Sequence, residues 1–207
     1  IPAGAELSRV APLLCAGITV WSPIHFSKVK KGDTVGVVGF GGLGHMALKY
    51  LVDLGAEVTV FDITGEKRND ALRMGAVRYV NMKQPDAVRG MADSFDFIIS
   101  TIPADYKLTD YAKLLKYGTG ELAVVGLPPT ASVGVRELFA APRRKIYTSI
   151  VGGIREHQEC MDYSVARKIY PDVKIIPATP EALKKAYRNV IDGKVKFRYV
   201  IDMKTLK

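Results

Sequence analysis

The residues Gly39-Phe40-Gly41-Gly42-Leu43-Gly44 set three of their glycines in a G-x-G-x-x-G spacing, directly after the apolar run Thr34-Val35-Gly36-Val37-Val38. A helical pattern begins at Leu43, and a carboxylate, Asp62, closes the next apolar run. That combination suits the gripping of a dinucleotide. Gly39 permits a tight turn, Gly41 lets the backbone approach a pyrophosphate, and Gly44 lets helix and strand pack closely. The N–H groups of Gly42 and Leu43 are the expected donors, helped by the positive end of the helix dipole. Asp62 is the expected acceptor for a ribose hydroxyl and would repel a 2′-phosphate, so NAD is favoured. Thr64, Lys67 and Arg68 follow closely and can accommodate a phosphate, which leaves NADP as the alternative. The glycine spacing alone is weak. The strand before it, the helix after it and the acid about twenty residues on supply the context it needs. The plainer readings are a strand-turn-helix glycine cluster and, for Asp62, a helix N-cap.

Other chemistry is sparse. Cys15 and Cys160 are the two cysteines; His25, His45 and His157 show no metal-ligand spacing with each other or with Cys15. A thiolate is a good zinc ligand, but one ligand does not make a site, and a buried apolar cysteine is the plain alternative for Cys15. No G-x-S-x-G stretch is present to build a nucleophile elbow.

The elements that must position these residues alternate. Strands are predicted over Thr34–Val38, Glu57–Phe61, Arg78–Val80, Phe95–Ser100, Glu121–Val125 and Ile146–Val151. Helices are predicted between them, over Leu43–Leu54, Glu66–Met74, Asp86–Met91, Leu108–Leu115 and Arg136–Ala140. Continuous apolar strands separated by helices imply an α/β fold, a parallel sheet covered on both faces. Six of them match the two halves of a doubly wound sheet. An apolar helix-like segment over residues 8–26 leads in. A tail follows Gly152-Gly153, with helices at 155–168 and 181–192 and strands at 174–176 and 197–201 that the six-stranded sheet does not need.

The composition bounds the rest. The 207 residues are 48% hydrophobic, enough for a real core. The net charge of +9 comes from scattered basic residues with no aromatic interleaving, so a solvated surface is expected and nucleic acid is not. Two cysteines are no disulfide framework, which points to a reducing compartment. No signal-peptide pattern opens the chain and no apolar stretch approaches a membrane span, so a cytoplasmic protein without a membrane partner is expected.

Three segments taken together, Ala11-Pro12-Leu13-Leu14-Cys15-Ala16-Gly17-Ile18-Thr19, Val38–His45 and Lys196-Phe197-Arg198-Tyr199-Val200-Ile201, resemble the zinc-dependent medium-chain alcohol dehydrogenases. The branch they resemble is the cinnamyl-alcohol-dehydrogenase group with its broad-specificity aldehyde reductases. The resemblance implies a Rossmann dinucleotide-binding domain over residues 16–151. It assigns residues 1–15 and 152–207 to the catalytic domain. It implies hydride transfer between a primary alcohol or aldehyde and a nicotinamide, with a catalytic zinc in the intact enzyme. Cys15 matches a zinc ligand. Thr19, Thr101, Ile102, Val125, Gly126, Ile150 and Val151 match positions beside the nicotinamide and its ribose, and Arg198 matches an arginine on the pyrophosphate. Homodimerisation through the edge strand near residues 146–151 is also implied.

The family's chain begins with a catalytic domain bearing a Gly-His-Glu segment and further zinc ligands. These motifs do not occur here, so the chain is expected to be a C-terminal part that binds dinucleotide and turns over poorly or not at all. Asp62 departs from the small hydroxyl residue common in the cinnamyl branch. Two other readings stay open: a zinc-independent, quinone-reductase-like enzyme and a non-enzymatic dinucleotide-binding module.

Overall fold

A computed structural model describes residues 1–206. The chain divides into two compact units, Thr19–Val151 and a second made of Ile1–Ile18 with Gly152–Lys207.

The larger unit is built on six parallel strands: β1 (Thr34–Val38), β2 (Glu57–Asp62), β3 (Arg78–Asn81), β4 (Phe97–Ser100), β6 (Glu121–Val124) and β8 (Lys145–Thr148), in the spatial order β3-β2-β1-β4-β6-β8. Two short strands, β5 (Tyr106–Lys107) and β7 (Ala131–Ser132), pair with each other apart from that sheet. The order is that of a doubly wound α/β sheet, which reverses direction between β1 and β4. Val35, Val37 and Val38 are fully buried, as are Ile98 and Ile99 beside them, as expected of central strands in a parallel sheet covered on both faces. Val38 lies opposite both Phe61 and Ser100, so the carboxyl ends of the three central strands finish level.

Helix α3 (Gly44–Asp53) buries Met46, Ala47, Leu48, Tyr50 and Leu51, and stops where Gly55 takes a left-handed φ of +82°. Helices α4 (Arg68–Arg73), α5 (Thr109–Ala112) and α6 (Val135–Leu138) are shorter than the sequence pattern predicts. No helix forms over Asp86–Met91, which is a run of turns. Asp86 (φ +55°) and Gly90 (φ +75°) are both left-handed there, and the few residues between them cannot repay helix nucleation. The sixth strand also ends early: Ser149 donates a last ladder bond to Val124 O at 3.1 Å, and Val151 turns the chain with a φ of +47°. Ile150 and Val151 therefore lie beyond the strand.

The amino ends of the strands are tied by charge. Lys116 Nζ donates to both Asp96 oxygens at 2.8 Å, and Thr34 N donates to Asp96 Oδ2 at 2.9 Å. Ser27 Oγ donates to Glu121 Oε2 at 2.6 Å and lies the same distance from Tyr147 Oη.

In the smaller unit, α1 (Leu7–Val10) and a 3-10 turn (Ala11–Leu14) precede α2 (Ala16–Phe26), which runs on into the larger unit. The tail forms α7 (Ile154–Arg167), β9 (Val173–Pro177), α8 (Pro180–Ile191) and β10 (Arg198–Asp202). The two tail strands pair in parallel with each other, Arg198 opposite Val173, in a sheet of their own. Thr179 caps α8 by accepting from Ala182 N at 3.3 Å, with Pro180 in the first turn.

Candidate functional site

The glycine loop fills the turn from β1 into α3, at the point where the strand order reverses. Its upstream half is pinned by the protein. Gly39 N donates to Phe61 O at 2.8 Å, and Gly39 O accepts from Thr101 Oγ1 at 2.9 Å. Phe40 N donates to Asp62 Oδ2 at 2.9 Å, and Phe40 O accepts from Lys67 Nζ at 3.2 Å. Gly41 O accepts from His45 N at 3.1 Å. The downstream half is open: among the described residues no acceptor meets the N–H groups of Gly41, Gly42 or Leu43. Three donors are thus left at the start of α3, aimed by a loop that cannot rearrange freely.

The glycines divide in the same way. Gly39 has a φ of +84°, and a Cβ there would stand 2.9 Å from Thr101 Oγ1. A Cβ on Gly44 would sit 1.9 Å from Gly39 O, and one on Gly126 would sit 2.1 Å from Ile102 O. The fold itself requires these three. Gly41 is different: its backbone is not left-handed and a Cβ would meet nothing within 4 Å. Nothing among the described residues demands glycine there. A ligand pressed against the backbone would, and the open N–H groups beside it suit a pyrophosphate.

Asp62, the last residue of β2, holds the loop from the side. Its Oδ1 accepts from Ile63 N at 2.6 Å while Oδ2 takes Phe40 N. It caps no helix, since α4 starts only at Arg68. Nearby, Tyr79 Oη donates to Thr64 O at 2.9 Å; burial first, and then the Asp62 charge, push its pKa up to about 12. Of the three residues predicted to accommodate a phosphate, Lys67 alone reaches the glycine loop. Arg68 instead bonds Tyr79 O at 3.4 Å.

The structure brings Gly39, Gly41, Gly42, Leu43, Gly44, Asp62, Lys67 and Thr101 to one place. Val125 and Gly126 stand close to Thr101 and Ile102, as both their N–H groups donate to Ser100 O, at 2.9 and 3.0 Å. Thr101 is buried, and its proton is committed to the carbonyls of Val38 and Gly39. Sequence reasoning missed that the hydroxyl braces the loop; a threonine one residue past the strand beside β1 was the available signal. It also missed Phe40, whose peptide group is held from both sides and leaves no mark on residue type. No hydrogen bond among the described residues joins Thr19, Ile150 or Val151 to the loop; Thr19 is buried on α2, and Ile150 is exposed.

Cys15 and Arg198 lie in the smaller unit. Cys15 is an exposed free thiol at the end of the 3-10 turn. Among the described residues no three His, Cys, Asp or Glu side chains gather where they could hold a metal ion. The residues present therefore do not fit a complete zinc site. Burial lowers the pKa of Arg198, opposed by the nearby Cys15, and its buried Nε meets no acceptor among the described residues. A buried guanidinium donor without an acceptor is suited to an anionic ligand.

Residues 42–166 match the zinc-binding dehydrogenase family. The chain is 41% identical to aldehyde reductase YahK of Escherichia coli, over 97% of this chain and 57% of that protein. It is 39% identical to NADP-dependent alcohol dehydrogenase C 1 of Mycolicibacterium smegmatis, over 100% of this chain and 58% of the relative. Among solved structures, CAD from Helicobacter pylori complexed with NADP(H) superposes with a TM-score of 0.87. It is 49% identical and covers 97% of this chain and 56% of its own. SbCAD4 of Sorghum bicolor gives a TM-score of 0.93 at 30% identity, over 100% and 58%. The chain spans somewhat over half the length of the relatives it matches.

Proposed function

The chain belongs to the zinc-binding dehydrogenase family, and from that footing we propose that it is the dinucleotide-holding part of an alcohol dehydrogenase or aldehyde reductase. The observation that carries the reading is the open half of the glycine loop. Three backbone donors without acceptors face a position where glycine serves no internal purpose. The Gly41, Gly42 and Leu43 N–H groups bind the pyrophosphate, and the dipole of α3 favours its charge. Arg198, in the smaller unit, is a further candidate ligand for an anionic group through its buried Nε. Asp62 accepts from the adenosine ribose. Thr19, Thr101, Ile102, Val125, Gly126, Ile150 and Val151 orient the nicotinamide and its ribose.

A bound nicotinamide supplies the hydride chemistry for a primary alcohol or aldehyde. The chain's own residues hold the cofactor, fix its orientation and keep water from its inner face. We place Cys15 as one ligand of a zinc ion. The described residues gather no group of three such ligands, so no step of the mechanism is routed through a metal. Residues 16–151 form the dinucleotide-binding domain in this reading, and residues 1–15 and 152–207 belong with the catalytic domain. The exposed edge at β8 is the expected surface for a homodimer. Two free cysteines support the cytoplasm as the compartment. Among the described residues no single helix is long and apolar enough to cross a membrane.

NAD(H) is the preferred cofactor in this proposal, because the Asp62 carboxylate would face a 2′-phosphate. The Mycolicibacterium relative is NADP-dependent by name and the Helicobacter structure holds NADP(H), so the preference departs from them and rests on this chain's own Asp62. Isothermal titration of the chain with NADH and NADPH tests both levels. Binding of NADH more tightly than NADPH is expected. Tighter NADPH would overturn the preference, and uptake of neither would overturn the site.

A further inference from the structure

Five backbone groups pin the upstream half of the glycine loop, and four are engaged by neighbours that the fold places rigidly: the Phe61 carbonyl on β2, the Thr101 hydroxyl, the Asp62 carboxylate at the end of β2, and the first turn of α3. The fifth, Phe40 O, is held by Lys67 Nζ at 3.2 Å, across 27 residues of sequence. Lys67 is the N-cap residue of α4, and its ammonium makes no other hydrogen bond or ion pair among the described residues. On the far side of the same residue, Phe40 N is fixed by Asp62, across 22 residues. Phe40 is therefore gripped between an anion on its N–H and a cation on its carbonyl. Both contacts are charge-assisted, the stronger class of hydrogen bond. The peptide that follows, Phe40–Gly41, carries the first of the three open N–H groups. Its plane includes the Phe40 carbonyl, so the cation that holds this oxygen also sets the direction of Gly41 N–H.

We propose that Lys67 is a positioning residue for the pyrophosphate loop. It acts through the Phe40 carbonyl to aim the Gly41, Gly42 and Leu43 donors, and not as a ligand reserved for a 2′-phosphate. The proposal rests on the reading that the loop binds a dinucleotide, and it separates two roles that make opposite demands on cofactor affinity. A lysine that aims the loop supports NADH and NADPH alike, since both carry the pyrophosphate. A lysine that pairs with a 2′-phosphate supports NADPH only.

The test compares the wild-type chain with Lys67→Met and Lys67→Arg, each titrated with NADH and with NADPH, with thermal denaturation of each protein and the amide spectrum of each without ligand. In Lys67→Met, NADH and NADPH affinity should fall together, by about three- to tenfold, while the melting temperature moves little. Lys67→Arg, which keeps a donor and a charge, should restore most of the NADH affinity. The Gly41 and Gly42 amide resonances should move in Lys67→Met and return towards wild type in Lys67→Arg, while those of the distant Gly118 stay in place. Loss of NADPH affinity alone, or unchanged affinity for both, with the wild type binding normally, would overturn the proposal and leave the dinucleotide reading standing. A wild-type chain that takes up neither dinucleotide would overturn that reading, and the proposal with it.

Discussion

Replacing Gly41 and Gly44 by alanine, one at a time, separates what the fold needs from what a ligand needs. A Cβ on Gly44 would lie 1.9 Å from Gly39 O and 3.0 Å from Gly39 C. Both are backbone atoms, so no rotamer change relieves the overlap and α3 must move away from β1. Overpacking usually costs about 1–3 kcal/mol, and a backbone clash this close belongs at or above the top of that range. In a chain of this size, about 3 kcal/mol corresponds to a fall of roughly 6–12 °C in melting temperature. A Cβ on Gly41 meets nothing within 4 Å, and its backbone is not left-handed. Gly41→Ala should be neutral or should stabilise by about 0.4–1 kcal/mol through the unfolded chain. The same methyl would stand where a pyrophosphate oxygen must approach the backbone. A tenfold or greater loss of NADH affinity is expected, about 1.4 kcal/mol or more. Thermal denaturation and isothermal titration of the two variants read these quantities independently. If Gly41→Ala binds NADH as tightly as the wild type, the loop does not bring its backbone against the ligand. A destabilisation as large as that of Gly44→Ala would equally refute this division of roles between the two glycines.

Asp62→Asn keeps an acceptor for Phe40 N and removes the charge, so relative affinity should move towards NADPH by about tenfold, measured by parallel titration. The Asp96 carboxyl is raised by burial, but hydrogen bonds from Lys116 and Thr34 N and the nearby Lys116 and Lys30 charges outweigh this and hold it below the ordinary carboxylate range. The unfolded chain then binds the proton more readily, so the stability Asp96 adds is complete above roughly pH 4 and is lost as pH falls through the folded value. Urea denaturation of wild type and Asp96→Asn should show a gap at pH 7 that closes on the acid side.

Much of this architecture was legible because central parallel strands are buried on both faces. Thr34–Val38, Glu57–Phe61 and Phe95–Ser100 read as continuous apolar runs, and the structure places strands there within a residue or two. Short pieces were harder. Asp86–Met91 carries a helix-like pattern, but two left-handed residues break it into turns. The tail strands were visible as strands, yet their parallel pairing with each other was not, because register is a property of two segments and periodicity describes one. At the site, the glycines and Asp62 announced themselves by type and spacing. The clamp on Phe40 did not: its partners lie 22 and 27 residues away, and a peptide group accepts any side chain.

In the proposed function Asp62 serves the fold and the ligand together. An ionised carboxylate offers about four lone-pair positions on two oxygens. The protein occupies one on each oxygen, through Phe40 N and Ile63 N, and both contacts come from backbone groups beside the loop. A lone pair on each oxygen remains for a ribose hydroxyl, and the carboxylate is already oriented when the cofactor arrives. Rotation towards a second ligand geometry would break two hydrogen bonds at once. Under the proposed NAD(H) preference, that rigidity would separate the two cofactors more sharply than charge alone. A free aspartate could swing away from a 2′-phosphate, whereas one held by Phe40 N and Ile63 N would have to meet it, and any loss of its grip on Phe40 N would also disturb the loop proposed to hold the pyrophosphate.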